Sequence, residues 1–180
     1  MDIREQKYVL ADARLSHEPE IARWLWALQD VRQRTMEQVG GLTQAVIDWM
    51  PPDHGSNIGT ILYHIGLIET DWLYVEVLEQ PYPLEITALF PYEHRDGQGL
   101  LTQVQGITLD QHLAQLDTVR QMLLHVFQHM SLHEFRRLRN LPDYDVTPEW
   151  VLHHLMQHEA EHRSQLGALR IAAEHALTHP

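Results

Sequence analysis

The sequence predicts an all-α protein, a four-helix bundle with one long crossover connection. Four stretches repeat apolar residues at helical spacing, and no stretch shows the sustained alternation that a half-buried strand requires. Each of the four begins with a residue or motif that commonly starts a helix. Between the second and third, residues 81–107 are rich in proline and glycine and lack periodicity. Four long helices with one long connection form a bundle.

The first two predicted helices are bounded by proline, glycine and capping residues. The first begins at Pro19, since proline is common in the first helical turn, and it ends before Gly40. Ser56 or Asn57 can cap the second helix. We expect this helix to run to about Glu79, where a Pro-Tyr-Pro sequence ends it.

The last two predicted helices carry clear start signals. Thr108 and Gln111 have the spacing of a capping box, and the third helix should extend from there to about Met130. A mixed connection with a short extended piece should follow. Thr147, which precedes a proline, can cap the last helix, and we expect that helix to reach about Ala176.

Composition restricts the classes of function. The chain has 180 residues, which we expect to form one domain over residues 1–180. It has no cysteine, so disulfides, thiolate ligands and a cysteine nucleophile are excluded. The formal charge of −12 opposes binding to a nucleic-acid backbone. No apolar run approaches the ~20 residues of a membrane span, and residues 1–10 lack a secretory signal. We therefore expect a cytoplasmic protein without nucleic-acid or membrane partners.

Three histidines fall on helix faces that should point into the core. On a wheel of the last helix, His158 and His162 lie in an apolar stripe between Leu155 and Leu166. The i, i+4 spacing lets the two imidazoles reach one ion from a single rigid helix. On a wheel of the second helix, His64 lies on the inward face. That face also carries Ile61, Ile68, Trp72 and Val75.

His64, His158 and His162 are therefore the predicted ligands of one divalent metal ion. Three neutral imidazoles leave coordination positions open for water or substrate, as in a reactive rather than a structural site. Such ligands suit zinc, nickel or iron, and they do not choose among these ions. The alternative is that each is a core histidine satisfied by a hydrogen bond. The spaced pair, with a third histidine on a facing helix, favours the metal.

Residues 158–162 also match the H-E-x-x-H pattern of zinc peptidases, in which the glutamate, here Glu159, is the general base. The extended form of this pattern fails, because Gln165 and Ala168 stand at required positions. A zinc peptidase is therefore a minor alternative. A di-iron site would need Glu-x-x-His on two helices, and only Glu159 to His162 has that spacing.

Other histidines are interpreted as surface residues. His125 and His129 share the i, i+4 spacing of the inward pair, but they lie opposite the apolar face of the third helix. We expect them to be exposed. His153 should be exposed as well, and His154 should lie at the rim of the inward stripe.

Two polar residues, Asp71 and Arg120, fall on inward faces. The preferred interpretation is a buried ion pair that fixes the register of two helices. Alternatively, Asp71 accepts a hydrogen bond from a ligand histidine, or Arg120 binds an anionic substrate. Five large aromatic residues are expected in the core: Trp24, Trp26, Trp72, Trp150 and Tyr63.

These residues resemble the DinB/YfiT-like family. Residues 57–65 (NIGTILYHI) and 71–73 (DWL) are similar to the second helix of that family, and residues 147–165 are similar to its last helix. The resemblance covers nearly the whole chain in helix order. It implies a helical bundle with a three-ligand metal site, matched here by His64, His158 and His162. Ser164 stands where family members commonly have glycine, which removes no ligand.

The resemblance also implies a class of function. Some members of the family are metal-dependent transferases or isomerases that use low-molecular-weight thiols, and homodimers are common. We therefore expect a metal-dependent enzyme that transfers a small thiol to an electrophilic small molecule, or a related hydrolase, acting as a homodimer. The thiol would come from the cosubstrate, because the chain has no cysteine. The alternative is a non-catalytic, stress-related bundle that binds metal or senses small molecules.

Overall fold

The computed structural model describes residues 15–52 and 55–179, and within these ranges the fold is all-α. The prediction of an all-α protein is confirmed. The long helices are α1 (Pro19–Val39), α3 (Ile58–Asp71), α5 (Leu109–Gln128) and α7 (Pro148–Thr178). The shorter elements are α2 (Gln44–Ile47), α4 (Leu84–Leu89), α6 (Leu132–Arg136), β1 (Arg139–Asn140) and β2 (Asp145–Val146). The predictions for residues 1–10 lie outside the described residues.

The four long helices pack around a shared core. Helix α1 packs against α7 and α5, and α3 packs against the same two helices. Apolar side chains from all four form one cluster and are almost completely buried, among them Val39, Ile65, Leu116 and Leu166. None of the helices in the described part of the chain is both long and apolar enough to cross a membrane.

Helix starts follow the capping residues in the sequence. The Asn57 side chain accepts a hydrogen bond from the backbone N–H of Thr60 at 2.7 Å. Thr108 forms the capping box with Gln111. The Thr147 hydroxyl accepts a hydrogen bond from a backbone N–H in the first turn of α7. Each of these bonds satisfies a backbone donor that has no partner within its helix.

The second long helix departs from the prediction after Asp71. Residues Trp72–Val77 form a π-helical segment, in which the N–H of Leu78 donates to the carbonyl of Leu73 at 3.0 Å. This wider turn rotates the following side chains relative to an α-helical wheel. The prediction that Val75 faces inward is therefore wrong, because its side chain is 39% exposed. The helical path also ends at Val77, before the predicted Glu79.

The connections contain more structure than the sequence predicted. Helix α4 interrupts the crossover after α3, and the extended piece before α7 is a two-stranded antiparallel hairpin, β1 with β2. The crossover is packed closely onto α3. A Cβ atom added at Gly66 would lie 2.9 Å from the Phe90 ring, so glycine at this position permits the close approach.

A network of four buried charges ties the four long helices together. Glu69 of α3 accepts hydrogen bonds from Arg32 of α1 at 2.6 Å and from Arg120 of α5 at 2.6 Å. Glu159 of α7 accepts from the same two arginines, at 2.8 and 3.0 Å. All four side chains are at most 6% exposed. Two positive and two negative charges balance within the core, and each arginine also donates to a backbone carbonyl.

The predicted ion pair between Asp71 and Arg120 is wrong. Arg120 is held by Glu69 and Glu159, and Asp71 instead accepts a hydrogen bond from the Tyr82 hydroxyl at 2.6 Å. The helical wheel correctly placed Arg120 on the inward face, but the sequence did not indicate the two glutamates that neutralise it.

His112 of α5 gives the fold a dependence on pH. It is 1% exposed, and its Nδ1 atom has no hydrogen-bond partner among the described residues. Burial lowers its pKa to about 4, although the charge of Asp48 opposes the shift. Because the unfolded chain takes up this proton near pH 6.5, the stability is present above that pH and is lost as the pH falls toward 4.

We therefore expect His112→Leu to reduce the pH sensitivity of folding. Between pH 7 and pH 5 the metal-free protein should lose about 2 kcal/mol of unfolding free energy through His112 alone. The variant should lose less than the wild type by about this amount. Urea unfolding of both proteins at the two pH values measures the difference, and changes in packing that are independent of pH cancel. An identical loss in both proteins would show that His112 does not contribute.

Candidate metal centre

Three histidines predicted from the sequence converge between α3 and α7. The Nε2 atom of His158 lies 3.0 Å from the Nε2 atom of His64 and 3.1 Å from the Nε2 atom of His162. One ligand nitrogen from each ring lies within 4.8 Å of the other two. His64 is buried, and His158 and His162 are partly buried. The group can therefore be reached from outside while most of it is shielded.

Two helices fix these positions. His64 lies in the middle of α3, where residues 61–67 are all buried, so its ring is held in the core. His158 and His162 are one turn apart on α7, beside Glu159 of the buried network. Because Glu69 on α3 and Glu159 on α7 share the same two arginines, the network sets how α3 and α7 face each other.

The environment keeps two of the rings neutral. Burial, followed by the neighbouring histidines, lowers the pKa of both His64 and His158 to about 3. A neutral imidazole is the form that ligates a metal ion, since the lone pair of one nitrogen is free. At neutral pH, no proton has to be removed from either ring before an ion can bind.

Two of the rings have a hydrogen-bond partner at their Nδ1 atom, on the side away from the cluster. The Nδ1 atom of His162 lies 2.9 Å from Oε1 of Gln165, so Nδ1–H can donate there and leave the Nε2 lone pair free. The Nδ1 atom of His64 lies 3.1 Å from Nε2 of His94. Ligand histidines in metal sites commonly have such an acceptor.

The donor set fits a divalent ion of the zinc, nickel or iron type. Three imidazole nitrogens that converge from one side leave the remaining positions for water or substrate. Without an ion, the short contacts between Nε2 atoms are N–H···N hydrogen bonds, in which one ring of each pair carries the proton on Nε2. A bound cation would instead be held by the Nε2 lone pairs of all three rings.

His94 is the residue of this centre that the sequence did not reveal. It lies in the crossover, where apolar periodicity is absent, and nothing in its surroundings resembles a ligand motif. Its ring is nearly parallel to that of His64, with an interplanar angle of 7° and centroids 4.8 Å apart. Contact with a distant helix brings it to the site, and such contacts cannot be read from local spacing.

Glu159 cannot act as the general base of a zinc peptidase. Its two carboxylate oxygens accept from Arg32 and Arg120, and the residue is 1% exposed. Arg120 is equally occupied and 2% exposed, so it does not reach an anionic substrate. Asp71 bonds to Tyr82, and among the described contacts no bond from Asp71 to a ligand histidine is present.

Aromatic rings border the cluster along α7. His154 stacks on Trp150 with an interplanar angle of 6°, and its centroid lies 4.4 Å from that of Trp72. His154 is half-buried at the rim, as predicted. Trp150 was expected in the core, yet it is 47% exposed and lines an apolar cavity of about 530 Å³ with Trp72 and Tyr144.

The outward pair also lies where the helical wheel predicted. His125 on α5 and His129, which directly follows the last residue of α5, are both exposed, and their rings contact each other at a centroid distance of 5.6 Å. Within the described part of the chain, the only group of three or more potential ligands is that of His64, His158 and His162.

Comparison with known families gives the same assignment as the helix order and the histidine positions. The family model of the DinB superfamily matches residues 27–166. The chain belongs to the DinB superfamily. The matched segment of this DinB protein includes all three converging histidines and also His94. A search of curated proteins found no match to the chain.

Proposed function

We propose that this DinB protein is a metal-dependent enzyme that transfers a small thiol to an electrophilic small molecule. The observation that carries the proposal is the convergence of the His64, His158 and His162 nitrogens at a partly accessible site. Three imidazoles with open positions favour a reactive centre over a structural one. The family resemblance supports thiol transfer as the reaction.

The residues of the chain have distinct tasks in this reaction. His64, His158 and His162 would hold the ion through their Nε2 atoms. When bound, a divalent ion supplies positive charge that lowers the pKa of a coordinated thiol. The buried network holds the two ligand helices in place. The thiol must arrive with the cosubstrate, because the chain contains no cysteine.

The test is turnover of a chlorodinitrobenzene with glutathione, free cysteine or another small thiol, after loading the protein with zinc, nickel, iron or manganese. The thiolate sulfur attacks the ring carbon, a C–S bond forms, chloride leaves, and the thiol proton passes to solvent. We expect turnover that requires both the metal and a thiol. Stoichiometric metal without turnover of any tested thiol would instead favour a non-catalytic metal-binding or sensing bundle.

We also propose that the protein works in the cytoplasm as a homodimer on a small-molecule substrate. The family resemblance supports the dimer. Sedimentation of the purified protein across a concentration series measures its oligomeric state. A monomer throughout would contradict the dimer.

A further inference from the structure

We infer that His94 positions the ligand His64 by accepting a hydrogen bond from its Nδ1–H group. This inference rests on the proposed metal site and assigns a role to a residue outside the ligand set. The two nitrogens of the His64 ring point to different partners. Its Nε2 atom lies 3.0 Å from Nε2 of His158, and its Nδ1 atom lies 3.1 Å from Nε2 of His94.

The chemistry of a neutral imidazole requires such a partner. One ring nitrogen carries the proton and the other carries the lone pair. For Nε2 of His64 to present its lone pair to an ion, Nδ1 must carry the proton and needs an acceptor. His64 is only 8% exposed, so water is a poor substitute. The Nε2 lone pair of His94 is the acceptor within hydrogen-bond distance.

The crossover is built to hold His94 in this place. The Tyr63 hydroxyl, one residue before His64 in the sequence, donates to the carbonyl of Tyr92 at 3.0 Å and accepts from its N–H at 2.8 Å. Both backbone groups of Tyr92 are therefore fixed two residues before His94. On the other side of His94, the Arg95 side chain donates to the carbonyl of Gly99 at 2.7 Å.

Close packing further limits movement of the crossover. Phe90 packs against Gly66 of α3 and forms an edge contact with the Tyr63 ring, with centroids 5.2 Å apart. Thr60 accepts a hydrogen bond from the backbone N–H of Val104 at 2.9 Å, farther along the same crossover. The crossover is thus fastened to α3 on both sides of His94. It can define the position of the His94 ring and, through it, that of His64.

The role of His94 differs from that of the corresponding partner of His162. Gln165 lies on α7, three residues from the ligand His162, so the helix itself places the acceptor beside that ligand. His94 comes from a different part of the chain. The geometry of His64 therefore depends on the docking of the crossover, which couples that connection to the metal centre.

The first test compares His94→Ala with His94→Gln, since the Oε1 atom of glutamine can replace the Nε2 acceptor. Zinc affinity is measured by competition with a chelator. We expect the alanine variant to bind zinc about 10–100-fold more weakly, and the glutamine variant to recover most of that loss. His125→Ala, at an exposed site, should bind as the wild type does. Equal affinity in all four proteins would overturn the inference. Complete loss of stoichiometric zinc in His94→Ala would overturn it too, because His94 would then be a ligand.

The second test needs no metal and separates this inference from the proposed function. Nitrogen-15 NMR of the metal-free protein reports which nitrogen of His64 carries the proton. We expect Nδ1–H in the wild type and in His94→Gln, and a mixture of tautomers in His94→Ala. If the wild type binds no metal, the proposed function fails, while the tautomer still tests His94. A His64 tautomer unchanged in His94→Ala would contradict the inference.

Discussion

Replacing Glu69 by glutamine is expected to lower the unfolding free energy of the metal-free protein by about 3–5 kcal/mol. Glu69 is 2% exposed and accepts from both Arg32 and Arg120. Without its charge, two buried guanidinium groups would share Glu159 alone, and one positive charge would be uncompensated. The glutamine NH₂ group is itself a donor, so it could not accept hydrogen bonds from the arginine N–H groups that it would face.

The pKa values of the network agree with this expectation. Burial alone would raise the pKa of Glu69, but the charges of Arg120 and Arg32 outweigh it and hold the pKa below its ordinary value. Burial would lower the pKa of Arg32, yet Glu69 and Glu159 raise it above its ordinary value. The charged forms of Glu69 and Arg32 are therefore their stable forms in the core.

Asp30→Asn is the matched control for this prediction. It removes the carboxylate that pairs with Arg34 on α1. The side chain of Asp30 is 36% exposed and that of Arg34 is 57% exposed. Such a pair contributes no more than about 0.5 kcal/mol. Urea unfolding in the presence of a chelator compares the two variants. Similar small effects in both would show that the buried network does not stabilise the fold.

Replacing His158 and His162 together by alanine should abolish stoichiometric metal binding and any metal-dependent turnover. Both rings present Nε2 atoms to the same small volume as His64. A single remaining imidazole does not hold an ion against water and chelators. His64→Ala should have the same effect, since two ligands on one helix compete poorly with a chelator.

His125→Ala with His129→Ala is the control, because this pair has the same spacing and is exposed at the C-terminal end of α5. Both the metal content and the turnover should be unchanged, and stability should change by no more than about 0.5 kcal/mol. Metal content is measured by mass spectrometry after dialysis. Loss of metal from the outward variant, with retention in the inward one, would refute the assignment of the centre.

The sequence predicted those features that local periodicity determines. The spacing of Thr108 and Gln111 is that of a capping box, which marks the start of α5. His158 and His162 share a face of α7 because they are one turn apart. His64 could be added because a regular wheel holds up to Asp71. Beyond that residue the π-helical segment breaks the wheel, and Val75 turns outward.

Features that depend on contacts between distant segments could not be predicted in this way. Arg120 was turned inward by the wheel, but its partners Glu69 and Glu159 lie 51 and 39 residues away in sequence. His94 reaches His64 only because the crossover packs on α3. Such pairings depend on how helices and loops dock, and a helical wheel contains no information about docking.

The most direct test of the account is an anomalous difference map from crystals of the protein loaded with zinc, recorded on both sides of the zinc absorption edge. We expect one strong peak between α3 and α7, about 2.0–2.1 Å from the Nε2 atoms of His64, His158 and His162. A map with no peak there would contradict this expectation. So would a map with its peak at His125 and His129 instead.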